Sequence, residues 1–154
     1  MAQSRSYLAR QLRMLASHMM DAGADICAEL DPVLKPTWLS LISGLERNQR
    51  ITVMDAAREM QVSHVHVQNL LKAMKASGVV SASADPDDAR RTFYELTAKG
   101  LELVPKVAKV RDALGAAVAE VEAEIGADLV SMLASFEQAL QSRDWKTRVK
   151  EKLE

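Results

Sequence analysis

A run of polar side chains within residues 63–75 carries the groups of this chain best suited to recognition by paired hydrogen bonds. Gln68 and Asn69 each place a donor beside an acceptor, the arrangement that binds N6 and N7 of adenine through two hydrogen bonds. Val65 can contact the methyl group of thymine. The chemistry of this run is therefore that of a surface able to read the edges of bases.

Helical periodicity places these side chains on one face of a predicted helix. The apolar positions recur at i, i+3, i+4 and i+7, and they are Val67, Leu70, Leu71 and Met74. At about 100° per residue, the opposite face carries the polar groups. A solvated polar face with no ligand is the alternative interpretation. The residues expected to contact nucleic acid are Ser63, His64, Val65, His66, Gln68, Asn69, Lys72 and Lys75, the two lysines through backbone phosphates.

A second helix is predicted immediately upstream, beginning after Thr52. Thr52 suits the N-cap position, and Asp55 in the first turn favours the positive end of the helix. Gln61-Val62 is the predicted turn, and Ser63 can cap the next helix. Two short helices joined by a tight turn are typical of domains that insert the second helix into the major groove of DNA.

A hairpin is predicted after Gly78, which suits a helix C-terminus. Its strands are residues 79–84 and 92–96, with β-branched and aromatic content, joined by an acidic, proline-containing loop. We expect Arg90 to enter a minor groove and Arg91 to contact a phosphate, with Asp88 orienting the guanidinium of Arg90. An exposed turn with weak local ion pairs is the alternative.

Apolar stripes indicate helices on both sides of this segment. The first helix is expected to be limited by Gly23 and by Asp31-Pro32, and the next begins after Pro36 and ends near Asn48. From Thr97 onward the chain is predicted to be helical to its end. The stripes are Leu8, Leu12, Leu15 and Met19; Trp38, Leu41, Ile42 and Leu45; Leu114, Val118, Val121 and Ile125; and Leu129, Leu133, Phe136 and Leu140, extended by Trp145, Val149 and Leu153.

The composition of the chain excludes several classes of protein. The 154 residues have a formal net charge of −1 and 48% hydrophobic residues, so any nucleic-acid binding must come from local clusters of Lys and Arg. Cys27 is the single cysteine, which excludes an intramolecular disulfide and fits a reducing compartment. No run reaches the length of a membrane span, and the cytoplasm is the expected location.

The combination of motifs resembles the MarR family of winged helix-turn-helix transcriptional regulators. The resemblance implies a mainly α fold with a small β-hairpin wing, in which terminal dimerisation helices flank the DNA-binding domain. It implies a homodimer on double-stranded DNA with a pseudo-palindromic operator, and a repressor released by a small-molecule effector. The matching motifs are Thr52–Ala57, Val62-Ser63, Asp85-Pro86, Asp88, Arg90, Leu96-Thr97 and Gly100.

We expect residues 35–100 to form the winged domain, and residues 1–34 and 101–154 to form the helical dimerisation region. The apolar stripes of the terminal helices offer more apolar surface than a winged domain of about 50 residues needs, which favours burial in a dimer. Packing of these helices on their own domain, as an intramolecular cap, is the alternative. The candidate effector-binding residues, between the first two helices and the winged domain, are His18, Met19, Met20 and Trp38, with Cys27 nearby; ordinary core packing is the alternative for them.

The sequence lacks the motifs of the common enzyme classes. The chain has no glycine-rich phosphate loop, no nucleophile elbow and no helical His pair with a glutamate, and we expect neither a catalytic role nor a cofactor nor a bound metal. His64 and His66 diverge by about 200° on a helix and cannot chelate one ion. Asp25 and Glu29 flank Cys27 and would raise its pKa, so a buried structural thiol is favoured over a redox sensor. A winged-helix module that binds partner proteins without reading DNA remains the alternative function.

Overall fold

A computed structural model of the chain describes residues 5–85, 88 and 91–153. The chain divides into two units, residues 1–112 and residues 113–154, here called the winged unit and the C-terminal unit. The elements are α1 (Leu8–Leu30), α2 (Leu39–Asn48), β1 (Arg50–Thr52), α3 (Val53–Met60), α4 (His64–Ala76), β2 (Val80–Ala84), β3 (Thr92–Leu96), α5 (Ala98–Ile125), α6 (Leu129–Ser142) and α7 (Trp145–Lys150).

The predicted fold class is confirmed: the chain is mainly helical with one small antiparallel sheet. The strands lie in the order β1-β3-β2, so that the predicted hairpin gains a third strand along its β3 edge. This strand, Arg50–Thr52, was not predicted. Its three residues are too few to show the alternation by which a strand is recognised in a sequence.

The winged unit has one continuous hydrophobic core. Trp38, Leu41, Ile42 and Leu45 are fully buried, as the predicted stripe of α2 requires. Further fully buried side chains come from α1, from α4, from Val79 and Val80 at the start of the hairpin and from the first half of α5. The core thus holds α4, whose exposed face carries the candidate recognition residues, against the sheet and α2.

The prediction that Gly23 limits the first helix is wrong, since α1 continues to Leu30. Gly23 is buried, and a Cβ built there would lie 3.5 Å from Cγ of Pro36. That distance is an ordinary van der Waals contact, so the helix tolerates glycine here at its usual cost of about 1 kcal/mol. Asp31 does end the helix, as expected, and its carboxylate accepts a hydrogen bond of 2.6 Å from Nζ of Lys106 on α5.

The C-terminal unit forms a helical corner between α6 and α7. The prediction that the α6 stripe extends continuously through Leu153 is wrong, because Arg143 and Asp144 are not helical and α7 ends at Lys150. The carboxylate of Asp144 caps α7 by accepting from the backbone N–H of Thr147 at 3.0 Å. This N-cap explains why a separate helix, α7, starts after Asp144. No helix among the described residues combines the length and apolar character needed to cross a bilayer.

Candidate nucleic-acid interface

The sequence between residues 52 and 63 folds as the predicted helix and turn. The hydroxyl of Thr52 accepts from the backbone N–H of Asp55 at 3.2 Å and donates to its carboxylate at 2.6 Å, which fixes the start of α3. Gln61 adopts the left-handed conformation, with φ of 54°. The N–H of Val62 then donates to the carbonyl of Ala57 at 3.1 Å, which closes the turn.

The helix α4, which carries the candidate base-reading residues, begins at the predicted residue. Ser63 is its N-cap, and its hydroxyl accepts from the backbone N–H of His66 at 3.2 Å. The apolar face is buried, with Val67 and Leu71 at 0% exposure. The opposite face is exposed as predicted, and its exposed members are His64, Val65, His66, Gln68, Asn69, Lys72 and Lys75.

The hairpin has the register expected of a wing. Ala84 pairs with Thr92, and beyond this pair the N–H of Asp85 donates to the carbonyl of Arg91 at 3.0 Å. The guanidinium of Arg91 lies 3.7 Å from the carboxylate of Asp85. Arg91 is thereby held at the point where the loop returns to the strand.

Arg90 lies outside the described residues, so its expected entry into a minor groove stays a prediction. The same holds for the role of Asp88 in orienting Arg90. The backbone carbonyl of Asp88 accepts from the N–H of Arg91 at 2.8 Å, which tightens the turn.

A groove of about 420 Å³ lies between the wing strand β3 and the start of α3, and Gln68 of α4 lines one side of it. Gln68 and Arg91 both line it, so the structure brings the predicted base-reading helix and the predicted phosphate contact to one concave surface. Sequence analysis did not single out Arg58, which also lines the groove and lies 3.5 Å from Asp55. Its position in the last turn of α3, where a cation favours the helix C-terminus, is the sequence signal that could have marked it. The remaining lining residues are Thr52, Val53, Met54, Asp55, Thr92 and Tyr94.

The angle between α4 and the wing is fixed by a close contact with α5. Gly78, with φ of 72°, ends α4 and turns the chain into β2. The hydroxyl of Thr97 donates to the carbonyl of Gly78 at 2.6 Å. The backbone N–H of Thr97 donates to the carbonyl of Val79 at 3.0 Å. Gly100 packs so closely on Val79 that a Cβ there would lie 2.2 Å from the carbonyl oxygen. The Leu96-Thr97 and Gly100 motif is thus the joint that positions the wing.

The candidate effector-binding residues lie in different environments. Trp38 is 1% exposed in the core, whereas His18, Met19 and Met20 are exposed on α1. Their role in effector binding stays a prediction. Cys27 is fully buried, and this desolvation raises the pKa of its thiol, in agreement with a structural role. Within the described ranges, no cluster of His, Cys, Asp and Glu is suited to hold a metal ion.

Comparison with known proteins supports the fold and finds one family whose profile matches part of the chain. Residues 34–91 match the sequence profile of the MarR family. No curated protein matches the chain by sequence. Among solved structures, the M. tuberculosis transcriptional regulator MosR in complex with DNA is 25% identical, with a TM-score of 0.69 over 88% of this chain and 96% of that one.

Two further structures share the fold at lower identity. The S. aureus MepR–DNA complex is 22% identical, with a TM-score of 0.68 over 87% of this chain and 99% of its own. B. bronchiseptica BpsR, whose DNA binding is regulated by 6-hydroxynicotinic acid, is 18% identical, with a TM-score of 0.55 over 70% of this chain and 83% of its own. The profile match covers the helix-turn-helix and the start of the wing, the segment in which the motifs were found. The resemblance to the MarR family is thus confirmed over residues 34–91, and the fold is shared with these regulators.

Proposed function

We propose that this protein is a homodimeric regulator that binds double-stranded DNA by inserting α4 into the major groove. The observation that carries the proposal is the common outward orientation of Val65, Gln68 and Asn69 near the N-terminus of a capped helix. These side chains read base edges, and Lys72 and Lys75 contact phosphates farther along. Arg90 and Arg91 of the wing contact the adjacent minor groove and backbone. The DNA-bound structures of MosR and MepR support this assignment.

The partner in the dimer is a second copy of the chain. In the winged unit, α1 exposes a row of apolar side chains, Leu8, Leu12, Leu15 and Met19. The C-terminal unit by itself exposes large apolar groups, among them Leu133, Phe136 and Trp145. Exposed apolar surface of this kind marks an interface. A two-fold dimer supplies two recognition helices to two half-sites, which raises affinity for a pseudo-palindromic operator.

We further propose that the protein acts as a repressor and that a small molecule releases it from its operator. The regulation of DNA binding in BpsR by 6-hydroxynicotinic acid supports an effector of small organic character. His18, Met19, Met20 and Trp38 remain the candidate residues. Such a ligand lowers DNA affinity only if it binds the free protein more tightly than the DNA-bound protein.

Binding to a labelled duplex from the chain's own upstream region, measured by fluorescence anisotropy at several salt concentrations, tests the central proposal. We expect log Kobs to fall linearly with log[salt], because each phosphate contact releases a counterion. Absence of binding, or binding that does not respond to salt, would contradict DNA recognition and favour a protein-interaction module.

Two variants separate base readout from backbone contact. Gln68→Ala should cost about 1 to 3 kcal/mol on the preferred sequence and relax discrimination at one base position, since a bidentate contact is lost. Lys75→Ala should weaken binding to all sequences alike and reduce the salt slope by about 0.9 per lysine. Lys109→Ala, an exposed lysine of α5, is the matched control. Equal losses on every sequence from the Gln68 and Lys75 variants would refute the assignment of readout.

A further inference from the structure

Two arginines converge on one aromatic ring on the outer face of the sheet. In the β1–β3 ladder, Thr52 lies opposite Phe93 and Arg50 lies opposite Glu95. Because side chains alternate along a strand, Arg91 and Phe93 share a face with Arg50. Cζ of Arg50 lies 4.4 Å from the centroid of the Phe93 ring, and Cζ of Arg91 lies 5.5 Å from it. We call Arg50, Arg91 and Phe93 the arginine–aromatic cluster.

Carboxylates neutralise this cluster only in part. Glu95 is the direct cross-strand neighbour of Arg50, yet within residues 5–85, 88 and 91–153 no ion pair joins them. Arg50 instead extends diagonally to the ring. Arg91 has Asp85 at 3.7 Å, a distance that gives a weak ion pair at an exposed site. The cluster therefore presents two exposed cations held close together, with Asp85 beside Arg91 and Glu95 opposite Arg50.

Stacking on an aromatic ring leaves a guanidinium able to bind an anion. The attraction to the ring uses the face of the guanidinium plane, whereas the N–H donors point outward within that plane. A ring that holds the plane in place also removes side-chain freedom that would otherwise be lost on binding. Such an arginine is therefore preorganised for a phosphate, whose oxygens accept paired N–H bonds.

The cluster is continuous with the proposed DNA-binding surface. Arg91 belongs to it and also lines the groove beside Gln68. A duplex whose base edges contact Gln68 has its sugar-phosphate backbone within reach of the wing next to that groove. The loop sequence predicts roles for Arg90 and Arg91. Arg50 precedes the helix-turn-helix in the sequence, and strand β1 brings it next to the wing.

We propose that Arg50 binds a phosphate of the DNA backbone together with Arg91, and that Phe93 is the positioning residue that holds both guanidinium groups. This inference rests on the proposed DNA-binding function. It assigns a sequence-independent contact to β1, outside the recognition helix and the wing loop. The role of Phe93 is exerted through the two arginines, since an aromatic ring carries no charge for a phosphate.

The test uses the full-length protein and a fluorescein-labelled duplex of mixed sequence, of about 30 base pairs or three helical turns. Arg50→Ala should lower the slope of log Kobs against log[salt] by about 0.9 per guanidinium removed. Arg50→Lys should restore the slope, because it keeps the charge. Arg111→Ala removes an exposed arginine of α5 and is the matched control for net charge; its slope should equal that of the wild type.

Phe93→Leu should weaken binding about two- to fivefold at fixed salt, the range of an exposed cation–π contact, while the slope stays near that of the wild type. Phe93→Tyr should restore affinity. In an Arg50→Ala, Arg91→Ala background the Phe93→Leu loss should vanish, which a merely structural role of the ring would not produce. Circular dichroism melts confirm that each variant folds.

The outcomes are distinguishable. If wild-type binding depends on salt but Arg50→Ala changes only the melting temperature and not the slope, the cluster is a structural brace and the inference is overturned. The same conclusion follows if the Phe93→Leu loss persists without the two arginines. Failure of the wild type to bind any duplex would instead overturn the proposed function itself.

Discussion

Replacing Gly100 with alanine is the sharpest structural test of the joint between α4 and the wing. The new Cβ would lie 2.2 Å from the carbonyl oxygen of Val79 and 3.0 Å from Cδ2 of Leu96. The oxygen belongs to backbone that also accepts from Thr97, so no side-chain rotation relieves the clash. To reach an ordinary contact, α5 and the start of β2 must separate by about 1 Å, with the cost of an overpacked core.

The size of the effect follows from two opposing terms. Alanine is intrinsically better than glycine within a helix by about 1 kcal/mol. Overpacking costs about 1 to 3 kcal/mol, and strain on the hydrogen bond from Thr97 to Val79 adds about 1 kcal/mol. We therefore expect Gly100→Ala to lower the free energy of unfolding by about 1 to 3 kcal/mol.

Gly115 supplies a matched control on the same helix, because a Cβ there meets no atom within 4 Å. Gly115→Ala should raise the free energy of unfolding by about 0.5 to 1 kcal/mol. Urea denaturation at one fixed protein concentration measures both variants, since the stability of the proposed dimer would depend on concentration. If Gly100→Ala proved as stable as Gly115→Ala, the close contact between α5 and β2 would be refuted.

Two further predictions concern titratable groups. The hydrogen bond from Lys106 holds the pKa of Asp31 below its usual value, so its stabilisation is present above the unfolded pKa of about 3.9 and is lost as pH falls through the folded pKa. In urea melts, Asp31→Asn should have a lower free energy of unfolding than the wild type at neutral pH, and this difference should shrink in acid. Asp112→Asn, at an exposed carboxylate, is the control. A difference that does not change with pH would contradict the ion pair. Burial raises the pKa of the Cys27 thiol, so iodoacetamide at pH 7 should alkylate it slowly in the native protein and rapidly in urea, whereas equal rates would contradict its burial.

The outward face of α4 was predictable because a period of 3.6 residues decides it. Val67 and Leu71 had to be buried together, which left Gln68 and Asn69 on the opposite side. The start of α3 was equally accessible, since Thr52 and Asp55 are local capping signals. These features depend on residues within one or two turns of each other.

The features that the sequence did not predict depend on contacts between segments that are distant along the chain. Gly23 resembles a helix terminator in sequence, and only the structure shows that α1 continues to Leu30. Arg50 lies about 40 positions before Phe93, and their proximity requires the register of a strand of three residues. No periodic signal encodes such pairings, so the groove-lining Arg58 and the arginine–aromatic cluster were found only in three dimensions.

The absence of charge on the three proposed base-reading side chains of α4 has a consequence for how the protein would choose among sites in a cell. Gln68, Asn69 and Val65 carry no charge, and the cations lie on other positions of the surface. If these side chains read the operator as proposed, changes in ionic strength would shift the affinities for cognate and random duplex by nearly the same factor. The ratio between the two, which decides whether one operator is found among many competing sites, is expected to stay nearly constant under osmotic stress.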